Sequence, residues 1–68
     1  MKRTCELIIR WNAERRREEY WSVAGWTVEP GHAELFFTGH HAEALETALR
    51  VGGRVEDYER VCEDLFED

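Results

Sequence analysis

Residues 4–11, TCELIIRW, alternate in character. Cys5, Leu7, Ile9 and Trp11 fall on one side, with Thr4, Glu6, Ile8 and Arg10 on the other. Period two with β-branched residues predicts a strand whose first set faces the core. The stretch Tyr20–Thr38, YWSVAGWTVEPGHAELFFT, predicts two more strands joined at Glu29-Pro30-Gly31-His32. Proline presets φ at the first central position of a type II turn, and glycine accepts the positive φ of the second. In the second strand Tyr20, Ala24, Trp26 and Val28 oppose Trp21, Val23 and Thr27. In the third, Ala33, Leu35 and Phe37 oppose His32, Glu34, Phe36 and Thr38.

Between the first two strands lies NAERRREE, residues 12–19. The aromatic and β-branched content after Tyr20, and Gly25 within it, favour a charged tip leading into a strand. The alternative is a helix at 13–24, capped by Asn12.

Thr38-Gly39 closes the sheet, with Thr38 placed to cap a helix from His40 to Val51. Ala42, Leu45, Ala48 and Leu49 supply its buried stripe. Gly52-Gly53 is a stop, because glycine accepts the left-handed cap conformation. A second helix is expected from Val55 to Phe66. Val55, Tyr58, Val61, Cys62, Leu65 and Phe66 form its apolar stripe, and Glu56, Glu59, Glu63 and Glu67 an acidic one.

The predicted fold is a single α+β domain over 1–68: a three-stranded antiparallel meander with two C-terminal helices packed on one face. With a helix at 13–24 the order becomes β-α-β-β-α-α. Helices on one side leave Ile8, Phe36, Trp21 and Val23 on the open face, more apolar surface than a small monomer usually shows. Trp21, Val23 and Phe36 are therefore candidates for a partner or dimer interface, unless residues 12–19 or the second helix cover them.

Length changes the picture first. A chain of 68 residues buries only about 60% of its unfolded surface and needs a dense core, a staple or a partner. Cys5 and Cys62 are a possible disulfide, worth ~4 kcal/mol in the chain-entropy model. In a cytosolic protein the plainer reading is two buried thiols. No apolar run approaches the ~20 residues of a membrane span, and Lys2-Arg3 precede too short a run for a signal peptide. The expected compartment is the cytoplasm, that of the host cell for a phage protein.

Charge narrows the partners. Acids and bases balance over residues 1–40, so the net −6 lies in the last 28 residues. There Glu43, Glu46, Glu56, Asp57, Glu59, Glu63, Asp64, Glu67 and Asp68 face only Arg50, Arg54 and Arg60. Such a surface repels nucleic acid and attracts basic surfaces, including those built to hold nucleic acid. Solubility alone is another use for it. Arg15-Arg16-Arg17, with Lys2, Arg3 and Arg10, is a basic cluster, but Glu6, Glu14, Glu18, Glu19 and Glu34 dilute it.

Candidate chemistry is sparse. Ser22, the only serine, has no His or Asp pattern beside it. Cys5 or Cys62 with His32, His40 or His41 lacks any local nucleophile signature. Adjacent His40 and His41 point about 100° apart on a helix, which disfavours joint metal ligation. No enzyme activity, cofactor or metal is expected.

In size, acidity, tryptophan content and predicted layout the whole chain resembles the small phage-encoded anti-CRISPR proteins. It begins at Met1 and ends in a charged tail, as a complete small reading frame would. The resemblance implies an inhibitor, monomer or homodimer, that docks on the basic surface of a CRISPR effector complex. Glu56, Asp57, Glu59, Glu63, Asp64 and Glu67 are then candidates for phosphate mimicry. The strand-strand-strand-helix outline is also similar to HicB-type antitoxins, which implies a small dimeric regulator associating through the open sheet face.

Overall fold

A computed structural model describes residues 5–37 and 39–58, and the architecture is that of these residues. They form an α+β unit: an antiparallel sheet of five strands and one α-helix. The order is β1 (Cys5–Asn12), β2 (Arg17–Ser22), β3 (Gly25–Thr27), β4 (Phe36–Phe37), α1 (His41–Val51) and β5 (Arg54–Asp57).

β1 is the central strand. Ile9 is partnered by Tyr20 of β2 and by Arg54 of β5, and Glu6 by Phe36 of β4 and Asp57 of β5. A strand has only two edges, so β5 borders one and β2 followed by β4 borders the other. β3 extends the sheet beyond β2. This position explains the unbroken Leu7-Ile8-Ile9, since a strand covered on both faces does not alternate.

On one face Ile8, Phe36, Ala44 and Ala48 form a buried cluster, with Trp21, Trp26, Val51 and Val55 packed against it. On the other, Leu7, Ile9 and Tyr20 are buried against Ala33, Leu35 and Tyr58. Burying each of the large aliphatic side chains contributes about 1.5–3 kcal/mol.

The charged tip between β1 and β2 is as expected, and a helix at 13–24 does not form. The Asn12 side-chain oxygen accepts from the Arg15 N–H at 3.1 Å, and Arg16 takes a left-handed φ of 54° to reverse the chain. The expected strand through Val28 is instead a hairpin. β2 and β3 turn at Val23-Ala24, where Ser22 Oγ–H donates to the Gly25 carbonyl (2.7 Å) and accepts from the Ala24 N–H (3.2 Å). Gly25 has φ 117°.

The expected type II turn is also replaced. Pro30–His32 form a 3-10 turn closed by the His32 N–H on the Glu29 carbonyl, and Gly31 does not take a positive φ. The third strand is reduced to Phe36–Phe37, reached through a Glu34 N–H bond to the Trp21 carbonyl at 2.9 Å. The meander is therefore not three-stranded.

α1 and its stop follow expectation. Gly52 adopts φ 83°, and the N–H groups of Gly52 and Gly53 both donate to the Ala48 carbonyl at 2.9 Å. The cap position is His40, which makes no side-chain capping bond, and Thr38 lies outside the described residues. The buried face of α1 is not the leucine stripe. Ala44 and Ala48 are buried and Val51 partly so, whereas Leu45 and Leu49 face outward. Small residues let the helix sit close to a sheet already filled by Phe36, Trp21 and Trp26.

The second helix does not begin at Val55. Residues 54–57 pair with β1 as β5, and strand pairing outweighs the helical pattern of the residues after them. The remainder of the predicted helix, 59–66, lies outside the described residues.

Candidate interaction surfaces

Past α1's end, the helix-side face of the sheet becomes polar. Register brings Arg10 beside Glu19 and Asn12 beside Arg17. Glu19 is only 5% exposed, yet its carboxylate is fully engaged. Arg10 donates to Oε1 from Nε (3.0 Å) and Nη2 (2.8 Å), and Asn12 Nδ2 adds a third bond at 3.2 Å. Arg17 donates to Oε2 from Nε (3.3 Å) and Nη2 (3.1 Å). The Arg10 hydrogen bonds first, then those of Asn12 and Arg17, hold the Glu19 carboxyl below its ordinary 4.5 against the opposing effect of burial. The Arg10 guanidinium also lies 4.2 Å above the Trp26 ring, which meets Trp21 edge-on at 5.4 Å.

Beside this cluster, β1 runs on past β5. It is paired to Asn12 on the β2 side but only to Ile9 on the β5 side. An open groove of about 540 Å³ follows, bordered by Arg10, Trp11, Glu14, Gly53 and Arg54. Trp11 is exposed there. Arg54 is occupied by Glu18 and Glu56, each at 3.3 Å. The groove's cations are thus already neutralised, which leaves a partly aromatic cleft with the acidic Glu14 at its border.

α1 presents a different surface. Ala42, Leu45 and Leu49 are spaced i, i+3, i+7 along its exposed side, with Leu45 47% and Leu49 86% exposed. Glu43, Glu46 and Arg50 flank them.

The residues expected to act together are separated. Phe36 is buried beneath α1 and Trp21 packs against the same cluster, while Val23 sits at the hairpin tip, 87% exposed. The face expected to be open is the one α1 covers. Glu56 is half-buried and paired with Arg54, and Asp57 lies next to it on the edge strand. Glu59, Glu63, Asp64 and Glu67 lie outside the described residues, as does Cys62; Cys5 is half-buried. Of the basic cluster, Arg17 is tied to Glu19, while Arg15 and Arg16 are exposed at the tip.

The histidines diverge. His40 Nδ1 is 3.0 Å from Glu43, and His41 Nδ1 is 2.8 Å from Glu6. Ser22 is taken up by its own turn. No group of three or more metal-ligating side chains converges among the described residues. Among them, too, no helix is long and apolar enough to cross a membrane.

The Glu19 cluster was not picked out as a site from sequence. Its signal is the pairing parity of Arg10 and Glu19, visible only once the 13–16 tip fixes the register. No known protein family, curated protein or solved structure matches the chain.

Proposed function

We propose that this protein is a non-enzymatic, acidic interaction module that binds a basic protein surface. Its proposed role is inhibition of a nucleic-acid-handling complex, in the manner of the anti-CRISPR proteins it resembles. One observation carries this reading: the sheet's arginines are consumed internally. Arg10 and Arg17 serve Glu19, and Arg54 serves Glu18 and Glu56. Among the described residues, Arg15, Arg16 and Arg50 are left outside ion pairs, against Glu14, Glu29, Glu34 and Glu46. With a net charge of −6 for the whole chain, the outward field is negative. It favours a Lys/Arg-lined partner over phosphate.

The test is binding to purified CRISPR effector complexes in competition with their target DNA, at about 0.1 M and about 0.5 M salt. Binding that excludes DNA, weakens at high salt and is lost in Glu59→Lys/Glu63→Lys supports the reading. Binding indifferent to salt, or direct DNA binding by the protein itself, overturns it.

A further inference from the structure

The groove where β1 runs on past β5 is an open strand position, and we infer that it takes an extended peptide carrying an arginine or lysine. The inference rests on this groove alone and stands or falls separately from the inhibitory role proposed above. Backbone parity fixes what the groove offers. The Ile9 carbonyl oxygen lies 2.9 Å from the place a methyl on Gly53 would occupy, so Ile9 turns its backbone toward β5. Successive residues of a strand turn their N–H and C=O groups to alternate edges, so Trp11 faces the same edge as Ile9. β5 does not reach it. The chain arrives from α1 through Gly52-Gly53, and β5 begins at Arg54, opposite Ile9. Trp11 stands opposite Glu18 on the β2 side, where by the same parity neither turns its backbone groups to the other. Among the described residues nothing pairs with the Trp11 N–H and C=O. An unpaired donor and acceptor on a strand edge, opening into a groove of about 540 Å³, is what an added strand requires.

Charge and the indole select the occupant. A residue bonded to both Trp11 groups stands directly opposite it and projects its side chain on the same face, beside the indole. Trp11 is exposed there, so a cation at that position gains its ring face. Glu14 borders the groove and makes no ion pair. The C-terminal end of α1, which carries partial negative charge, borders it through Gly52 and Gly53. The groove's own arginines do not compete. Arg10 and Arg17 share Glu19, while Glu18 and Glu56 share Arg54, so the two clusters cancel and Glu14 leaves the groove negative. Arg15 and Arg16 at the tip and Arg50 in the last turn of α1 do not border it. An acidic side chain opposite Trp11 would forgo all three contacts. With a single open residue the contact is short, and its Kd is about 1 mM or somewhat below.

The test is amide NMR of the whole chain titrated with the peptide acetyl-Thr-Val-Arg-Val-Thr-amide. The Trp11 and Gly53 amides should shift saturably, and the Trp11 N–H should become protected from exchange. The same peptide N-methylated at its arginine cannot donate to the Trp11 carbonyl and should bind about tenfold more weakly. Glutamate in place of the arginine should weaken binding at least as much, since it meets Glu14 and the end of α1. Glu14→Gln and Trp11→Thr, both at exposed positions, should each weaken the arginine peptide about two- to fivefold. Unchanged amide shifts elsewhere in each variant separate loss of the contact from loss of fold. Absence of saturable shifts at Trp11 up to several times the expected Kd overturns the proposal. So does equal binding of the N-methylated peptide, or a glutamate peptide that binds as well as the arginine one.

Discussion

Gly53 is the position where the smallest change should cost most. A methyl group there would stand 2.7 Å from Ile8 Cγ2, 2.9 Å from the Ile9 carbonyl oxygen and 2.9 Å from Trp26 Cη2. One of these neighbours is backbone of the central strand, and another is a core side chain with no exposure. Neither can give way without opening the β1–β5 pairing. Overpacking of this kind costs about 1–3 kcal/mol, and three simultaneous clashes place Gly53→Ala at the upper end, ~3 kcal/mol. For a domain of this size that is a fall in Tm of roughly 12–24 °C, at about 4–8 °C per kcal/mol. It is also a large share of the 3–10 kcal/mol that ~70 residues typically hold. Two glycines serve as internal controls. At Gly52 a methyl meets nothing within 4 Å, but φ is 83°, so Gly52→Ala should cost only the ~1–2 kcal/mol of a left-handed L-residue. At Gly31 there is neither contact nor positive φ, and alanine should be neutral or stabilising by about 0.4–1 kcal/mol. Thermal and urea unfolding, followed by tryptophan fluorescence, would rank the three. A Gly53→Ala variant no less stable than Gly52→Ala would refute the close approach of this loop to β1.

Three further outcomes follow from the packing and the polar cluster. Glu19's lowered carboxyl pKa makes its stabilisation complete above the ordinary 4.5 and lost as pH falls through the folded value below it; the urea-midpoint gap between wild type and Glu19→Gln should therefore shrink on acidification, and a constant gap would contradict the cluster. Phe36→Ala should destabilise by about 3–5 kcal/mol as a buried aromatic, whereas Val23→Ser should stay within about 0.5 kcal/mol; equal effects in chemical denaturation would mean that α1 does not cover this face. Ser22→Ala should cost about 1 kcal/mol by removing the side-chain bonds that close the β2–β3 turn, and amide exchange should accelerate at Ala24.

β1 and α1 were legible because their signals are local: strand alternation on one side, and helical spacing ended by Gly52-Gly53 on the other. The β2–β3 hairpin was hidden because its turn is Val23-Ala24, held by a serine hydroxyl, without the Asn-Gly or Asp-Gly pair that marks tight hairpins. The buried side of α1 was misassigned because leucine ranks above alanine in any hydrophobic pattern, while close packing on a tryptophan-rich sheet selects alanine. Arg54–Asp57 is too short and too charged to read as a strand. Its reason for being one lies in β1, whose open edge cannot be seen from the local sequence. The Glu19 cluster depends on the same cross-strand register, so charge counting found the arginines and missed what holds them.

The order of the strands has a consequence for how the protein is made. The central strand leaves the ribosome first among the described elements, and its last neighbour, β5, leaves last. Until Arg54–Asp57 has emerged, Leu7 and Ile8 lack the ladder that Glu56 and Val55 supply and Ile9 is paired with Tyr20 alone, which leaves a hydrophobic edge of the kind that templates aggregation. Translation that stalls before residue 54 should therefore yield a sticky fragment, however well the hairpins and α1 have already formed. Closure of the described sheet therefore waits on the emergence of Arg54–Asp57, whose charged residues also make an edge that discourages recruitment of another strand.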